Sequence, residues 1–342
     1  KIHESYTRQK DGNIVKTPEN AFVEVLPSAA ADAPAYNGLK EMVVVHTGLE
    51  LGATIYLDYS VITRPGYLPE LDVCEQVEEL SPIKEYVLSL SVPESKPLHY
   101  ELLNGKTAPA VKTEGGVKTV IWTLKNVQPR PYMLDVSLAA GNVQAIVAST
   151  YASKADALKV IKQQLESNGK EVSELAKKLT ANAQSPEQKT KQLTAYVQGL
   201  GNCRLSLSQT GYRLRPAAEV IRSAYGTEAE KAALLAALQQ ASGIQTEIKA
   251  VFPKTVNKDA AGLAAVSKLF VTDNAIADIQ DFVSVVNMDA QPVVLETVSH
   301  VISQTDTLRV TAKTGKALEA GYRRFELPQA RSGWAAYEGR ST

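Results

Sequence analysis

The chain of 342 residues contains 37 lysines and arginines and 37 aspartates and glutamates, so its formal net charge at pH 7 is zero. A chain without net charge offers no one-signed field for nucleic acid or an anionic membrane, and we expect neither as a partner. Hydrophobic residues make up 44% and charged residues 22% of the chain. This composition excludes a disordered chain, and the length predicts two domains with part of a third.

The first half, residues 1–150, is predicted to be β structure. Segments rich in Val, Ile, Tyr and Thr recur between turn signals such as Asp11-Gly12 and Asn104-Gly105. Residues 54–61 alternate apolar and polar side chains, the pattern of a strand with one buried and one solvated face. We therefore predict an antiparallel β-sandwich. Its predicted strands are Phe22–Leu26, Met42–His46, Ala53–Thr63, Ile83–Val92, Leu98–Leu103, Lys118–Leu124 and Val143–Ser149.

At Ser153 the spacing of apolar residues changes from that of strands to that of helices. Ser185 followed by Pro186 has the chemistry of a helix start. The predicted helices cover residues 154–168, 172–179, 185–200, 216–224 and 228–241. The predicted strands after them are Gln245–Phe252, Phe282–Asn287, Val293–Thr297, Leu308–Ala312 and Tyr322–Leu327. Helices followed by strands indicate an α+β domain.

The stretch Arg215–Pro253 contains the most informative pattern. Gly226 ends one predicted helix, and Thr227 begins the next. Thr227 and Glu230 have the spacing of a capping box, in which each side chain bonds an unpaired backbone N–H of the first turn. Glu228 lies in that turn, where the helix dipole favours a negative charge.

This layout resembles the core of the transglutaminase-like superfamily, whose fold is similar to that of papain-like cysteine proteases. The N-terminal half resembles the β domain of unknown function that precedes this core in exported bacterial proteins, through residues 15–21 and 42–52. The resemblance covers residues 10–330 and implies a place in the periplasm or cell envelope. In the core, the matching residues are Ala218-Glu219-Val220, Tyr225-Gly226, Glu230-Lys231-Ala232, Leu234-Leu235 and Gly243-Ile244.

The family's catalytic residues are absent at the matching positions. The resemblance places the family's cysteine at Glu228, its histidine at Asp281 and its aspartate at Glu296. A thiolate is activated at a helix N-terminus, whereas a glutamate there is a poor acyl nucleophile. Loss of nucleophile and base together predicts a chain without covalent acyl transfer. The binding candidates are these three acids together with Tyr225 and Thr227.

Two interpretations of the three acids remain open. If Glu228, Asp281 and Glu296 converge in one cleft, they could act in general acid–base chemistry or bind Ca²⁺. In the other interpretation, Glu228 caps its helix and the remaining two are solvated acids.

The other reactive side chains are predicted to be structural. Cys74 and Cys203 form no CxxC pair, and Cys203 precedes a segment that alternates like a strand. His300 falls in a strand-like segment outside the family order. No histidine spacing suits zinc, so we expect no metal and no cofactor. The aromatic candidates for either a groove or the core are Tyr151, Tyr212, Tyr225 and Trp334.

We therefore predict three segments: a β-sandwich domain at 1–150, a transglutaminase-like α+β domain at 151–303 and a partial β extension at 304–342. The predicted function is non-catalytic binding of a peptide, glycan or protein partner outside the cytoplasm. One alternative is an active transglutaminase-like hydrolase or cysteine peptidase that uses non-standard residues. Another is a structural module of an envelope assembly. We also expect a processed N-terminus at Lys1 and a C-terminus cut in mid-domain.

Overall fold

The computed structural model describes residues 1–130, 143–165 and 169–273, together with the backbone of residues 310–311 and 317–318. The chain divides into two compact units, Lys1–Pro131 with Ala139–Ala277 and Tyr132–Leu138 with Asp278–Thr342. None of the helices in the described ranges has the length and apolar character needed to cross a membrane.

The N-terminal part of the first unit is built from antiparallel strands. Its sheets have the strand orders β2-β1-β5, β7-β10-β9 and β6-β11-β8, and β3 pairs with β4 as a separate hairpin. The strands are β1 (Ile2–Arg8), β2 (Ile14–Lys16), β3 (Phe22–Val25), β4 (Glu41–Val44), β5 (Thr54–Tyr59), β6 (Asp72–Gln76), β7 (Ile83–Pro93), β8 (His99–Leu103), β9 (Ala110–Glu114), β10 (Val117–Val127) and β11 (Ala145–Ser149).

Two of these sheets bury a shared core around Trp122. In β10, Val120, Trp122 and Leu124 are buried while Thr123 and Lys125 between and after them are exposed, which gives the strand one dry face. Buried residues of β7 and β11 complete the cluster, with partly buried side chains of β6 and β8 packed against it. The ring of Tyr100 meets that of Trp122 edge to face at 5.4 Å.

The second part of the first unit contains the helices and a two-stranded antiparallel sheet. The helix α5 is its centre, because α2, α3 and α4 all pack on it around buried leucines such as Leu234 and Leu238. A helix with apolar residues on most of its faces is stable only when it is buried in this way. The elements are α1 (Lys154–Lys162), α2 (Lys170–Leu179), α3 (Pro186–Gln198), β12 (Gly201–Asn202), α4 (Ala217–Ser223), β13 (Tyr225–Gly226), α5 (Glu228–Ala241), β14 (Thr246–Val251) and β15 (Lys268–Asp273).

The predicted fold class, a β domain followed by an α+β domain, is confirmed. The sandwich arrangement and the three segment boundaries stay predictions. Seven strands of the first unit were missed, β1, β2, β6, β9, β12, β13 and β15. The predicted strand at residues 53–63 is shorter and ends at Tyr59. In the second unit, Val310–Thr311 lies within the predicted strand Leu308–Ala312 and pairs with Ala317–Leu318, which was not predicted as a strand. The predicted strands at 282–287, 293–297 and 322–327 lie outside the described residues.

Candidate functional site

The start of α5 has the capping box that the sequence predicts. The Thr227 side chain accepts a hydrogen bond from the backbone N–H of Glu230 at 3.2 Å, and the Glu230 carboxylate accepts one from the Thr227 N–H at 2.9 Å. Two of the donors left unpaired at any helix start are thereby satisfied. The cap fixes the backbone direction at the position where the resemblance places a nucleophile.

Glu228, at that position, is the first residue of α5 and points to solvent. Its carboxylate forms an ion pair with the ammonium group of Lys268 at 3.1 Å, and the two side chains are 65% and 56% exposed. Lys268 begins β15, so the pair joins the helix start to the adjacent sheet. An exposed pair of this kind contributes little stability. The helix start therefore exposes the carboxylate of Glu228 and the ammonium group of Lys268 at the position where the family has a thiolate nucleophile.

Glu230 lies two residues further along the same turn, on its buried side, and is the most densely bonded residue of the site. Its carboxylate accepts hydrogen bonds from the Arg215 side chain at 2.9 and 3.0 Å and from the Arg215 backbone N–H at 3.1 Å. The hydroxyl of Tyr36, 194 residues earlier in the chain, donates to the same carboxylate. The Glu230 side chain is completely buried. We call Tyr36, Arg215 and Glu230 the carboxylate clamp; it ties the β half to the first turn of α5.

The clamp is an ion pair held in its charged form. Burial alone would raise the pKa of Glu230, but hydrogen bonds from Arg215, from Tyr36 and from the backbone hold that pKa below its ordinary value. Burial opposes the charge of Arg215, yet its hydrogen bond with Glu230 raises the pKa of the guanidinium. Burial, and then the neighbouring carboxylate, raises the pKa of the Tyr36 phenol. Each group is thus fixed in one protonation state around neutral pH.

Tyr225 adds a second link between the β half and the helix start. Its hydroxyl accepts a hydrogen bond from the backbone N–H of Ala35 at 2.8 Å, and its carbonyl accepts one from Arg215 at 2.8 Å. The Arg215 guanidinium lies over the Tyr225 ring at 4.6 Å from the centroid, a cation–π contact. Tyr225, predicted as a binding residue, is therefore engaged in holding the site together.

Cys203 lies beside the backbone that leads into α5. Its N–H donates to the carbonyl of Gly226 at 2.9 Å, continuing the parallel pairing of β12 with β13. The thiol is buried in a small apolar cluster with Ala30, Ala33 and Leu205. This environment matches the predicted structural role of Cys203.

Cys74 lies on β6 next to a buried carboxylate, Asp72. Burial, and then the charges of Asp72 and Glu75, raises the pKa of the Cys74 thiol to about 11. Burial also raises the pKa of Asp72 to about 6, although its carboxylate accepts hydrogen bonds from the backbone of Ala264 and Leu263. The other carboxylate oxygen, Oδ1, has no hydrogen-bond partner among the described residues.

Asp72 also orients the connection between β14 and β15. Gly262 lies so close to its carboxylate that an added Cβ would stand 2.6 Å from both oxygens. Nearby, the carboxylate of Glu101 accepts the N–H groups of Val256 and Asn257 at 3.1 and 2.8 Å. Two acids of the β half thus anchor the connection that leads to Lys268.

The remaining candidates divide between the core and the part of the chain that is not described. Asp281 and Glu296 lie outside the described residues, as do His300 and Trp334. Tyr151 and Tyr212 are buried in a cluster that includes Ala229 and Ala232 of α5, and so belong to the core rather than to a groove. Within the described ranges, no group of three or more His, Cys, Asp or Glu side chains is arranged to hold a metal ion.

Sequence reasoning identified Glu230 as a cap but missed the clamp. The capping-box spacing is local and therefore visible in the sequence. The partners Tyr36 and Arg215 carry no such signal, because their contacts depend on how distant segments pack. An arginine directly before the helix-opening Pro216 was the nearest available hint.

Two family models match the chain. Residues 1–131 match a domain of unknown function, DUF3857, and residues 173–272 match the transglutaminase-like superfamily. No curated protein is significantly similar to the chain.

Two crystal structures are similar to it. A "putative protease" from Parabacteroides distasonis is 48% identical with a TM-score of 0.74; the match covers 80% of this chain and 55% of that one. The chain thus spans about half the length of this relative. A "putative cysteine protease" from Cytophaga hutchinsonii is 12% identical with a TM-score of 0.26, and the match covers 60% of this chain and 71% of that one.

Proposed function

Residues 173–272 of this chain belong to the transglutaminase-like superfamily, and on that premise we propose that it is a non-catalytic member that binds a peptide, glycan or protein partner in the cell envelope. The envelope placement rests on the resemblance of the N-terminal half to a β domain of exported bacterial proteins, and residues 1–131 match the domain of unknown function DUF3857.

One observation carries the proposal: the first residue of α5 is Glu228, not cysteine, and its carboxylate is paired with Lys268. Covalent acyl transfer in this superfamily's fold requires a thiolate at a helix start, where the dipole lowers the thiol pKa. A carboxylate gains the same stabilisation from the dipole, but it forms a mixed anhydride too reactive to serve as a stable acyl intermediate. The site can still attract cationic groups and accept hydrogen bonds.

The two thiols give no support for a displaced nucleophile. Cys74 has a pKa of about 11, because burial disfavours its thiolate. Cys203 is buried against Ala30 and Ala33 with its sulfur facing the carbonyl of Ala29. A nucleophilic cysteine needs access and a depressed pKa. The clamp and the capping box hold the backbone at the start of α5, with a glutamate where the family has its cysteine.

An active hydrolase is the second candidate, favoured by the 48% identity to a structure named as a protease. The two candidates differ in whether bound peptide is cleaved or transferred. A fluorophore–quencher peptide library with an added primary amine reports cleavage and transamidation, and anisotropy of the same labelled peptides reports binding.

We expect the native chain to bind at least one peptide pool without turnover, and Glu228→Lys to weaken that binding at least tenfold by reversing the charge at the helix start. Glu171→Lys, on the exposed side of α2, is the matched control and should leave binding within twofold. Turnover by the native chain that disappears in Cys203→Ser or Glu228→Gln would establish the hydrolase instead.

A further inference from the structure

The strand β5 is an open edge of its sheet. In the order β2-β1-β5 it is paired on one side only among the described residues. The N–H of Thr17 donates to the carbonyl of Ser5, so the odd-numbered residues of β1 bond to β2. Alternation in antiparallel ladders then directs the even-numbered residues of β1 to β5. On β5 itself, Ile55 and Leu57 therefore turn their N–H and C=O groups away from β1, towards the open side.

Nothing in the described chain shields this edge. All six residues of β5 are exposed, among them Ile55 at 50%, Leu57 at 39% and Tyr59 at 59%. Natural edge strands are usually protected by lysine, proline or a bulge. The edge strand β9 follows that rule with Lys112, whereas β5 contains neither a cation nor a proline. The irregularity in its pairing with β1 is confined to the end between Ile2 and Glu4. Its free backbone groups and apolar side chains are a template for another strand.

At the Asp58 end of the edge, one face of the sheet carries two neighbouring carboxylates. Glu4 of β1 stands directly opposite Asp58 of β5, and neither carboxylate has a salt-bridge partner within 4 Å among the described residues. Like charges directly opposite each other destabilise a sheet. The neighbouring pair on the same face, Tyr6 and Tyr56, stacks at 4.7 Å between ring centroids. The charge of Asp58, more than burial or Glu4, raises the pKa of Tyr56.

From this arrangement we propose that the β5 edge binds an extended peptide chain that carries lysine or arginine on one face, by adding it as a further strand. The backbone groups of Ile55 and Leu57 would supply the main-chain hydrogen bonds. Peptide residues opposite Tyr56 and Asp58 then occupy the closely spaced, non-hydrogen-bonded positions. A lysine or arginine there pairs with Asp58 and Glu4 and lies against the Tyr56 ring.

The negative charge of Glu4 and Asp58 favours a basic peptide over a second copy of this chain at the β5 edge. A second copy of this chain, pairing edge to edge, would bring two more carboxylates to the same seam and add repulsion. A basic peptide removes the repulsion between Glu4 and Asp58 that the free sheet retains. Two cations share this face but lie away from the Asp58 end: Lys16 is opposite Tyr6 on the β2 side, and Arg8 is opposite Thr54 at the far end of β5.

The test uses two capped, dye-labelled heptapeptides that alternate threonine with lysine or threonine with glutamate. We expect the full chain to bind the lysine peptide, measured by fluorescence anisotropy, at least tenfold more tightly than the glutamate peptide. Asp58→Lys should reverse that preference, and Leu57→Pro, which removes an outward N–H, should weaken binding at least tenfold. Glu114→Lys on the β9 edge is the matched control and should change neither. Glu228→Lys should also leave this binding unchanged, which separates the result from the site at α5.

Equal affinity for the two peptides, or an Asp58→Lys variant with unchanged preference, would overturn the proposal. A concentration-dependent dimer in light scattering that Leu57→Pro abolishes would overturn it in favour of a second copy. If Asp58→Lys does not fold by circular dichroism, Glu4→Gln replaces it, with an expected loss of at least threefold in affinity for the lysine peptide.

Discussion

Replacing Glu230 by alanine should lower the free energy of unfolding by about 3–5 kcal/mol, the cost of removing one partner from a buried ion pair. The change leaves the Arg215 guanidinium, whose side chain is 12% exposed, without a carboxylate. It also leaves the Tyr36 hydroxyl and the Thr227 N–H without their acceptor. Urea unfolding, followed by tryptophan fluorescence and by circular dichroism, measures the loss.

The matched control lies two residues earlier on the same helix. Glu228→Ala removes an equal charge from an ion pair that is 65% and 56% exposed, so it should cost less than about 1 kcal/mol. Similar losses for the two variants would contradict the view that the carboxylate clamp, rather than the charge at the helix start, holds the first turn of α5.

Asp72 should make the stability of the fold decrease as the pH rises from about 4 to about 6. Its pKa is raised from 3.8 to about 6 by burial, so the folded chain binds more protons than the unfolded chain within that window. The free energy of unfolding then falls as pH rises through the window and is constant above it. The shift corresponds to about 3 kcal/mol.

Asp72→Asn isolates this contribution because the amide does not titrate and its oxygen can still accept the Ala264 N–H. We expect the variant to be more stable than the native chain at pH 7, with the difference disappearing towards pH 4. Comparing the two chains at each pH cancels the contributions of other acids. Glu70, whose hydrogen bonds with Lys96 and Thr150 lower its pKa, gives a trend of opposite sign in both chains. A constant difference between native and variant chains from pH 4 to 7 would contradict the assignment.

Local signals in the sequence predicted the helices and the cap well. The Ser185-Pro186 start and the Thr227–Glu230 capping box appear in the structure as the spacing predicts, because such contacts lie within one turn. Short polar strands were missed: β6, with the sequence DVCEQ, has no clear alternation and becomes a strand only by pairing with β11. Tertiary pairing outweighs local propensity in such segments.

The candidate site was predictable only in part, for the same physical reason. The position of Glu228 at a helix start follows from local pattern, but its partner Lys268 depends on where β15 lies. That strand was not predicted, and its approach is set by the contacts of Asp72 and Glu101 with the preceding connection. The predicted partners Asp281 and Glu296 lie outside the described residues and stay predictions.

Alkylation of the native chain by iodoacetamide, followed residue by residue with mass spectrometry, tests most directly whether the protein contains an activated thiol nucleophile. The account predicts that Cys74 and Cys203 react at pH 7 at least a hundredfold more slowly than the same cysteines in the urea-unfolded chain, because one has a pKa of about 11 and the other is buried. Native-state labelling of either cysteine as fast as a free cysteine peptide would contradict it.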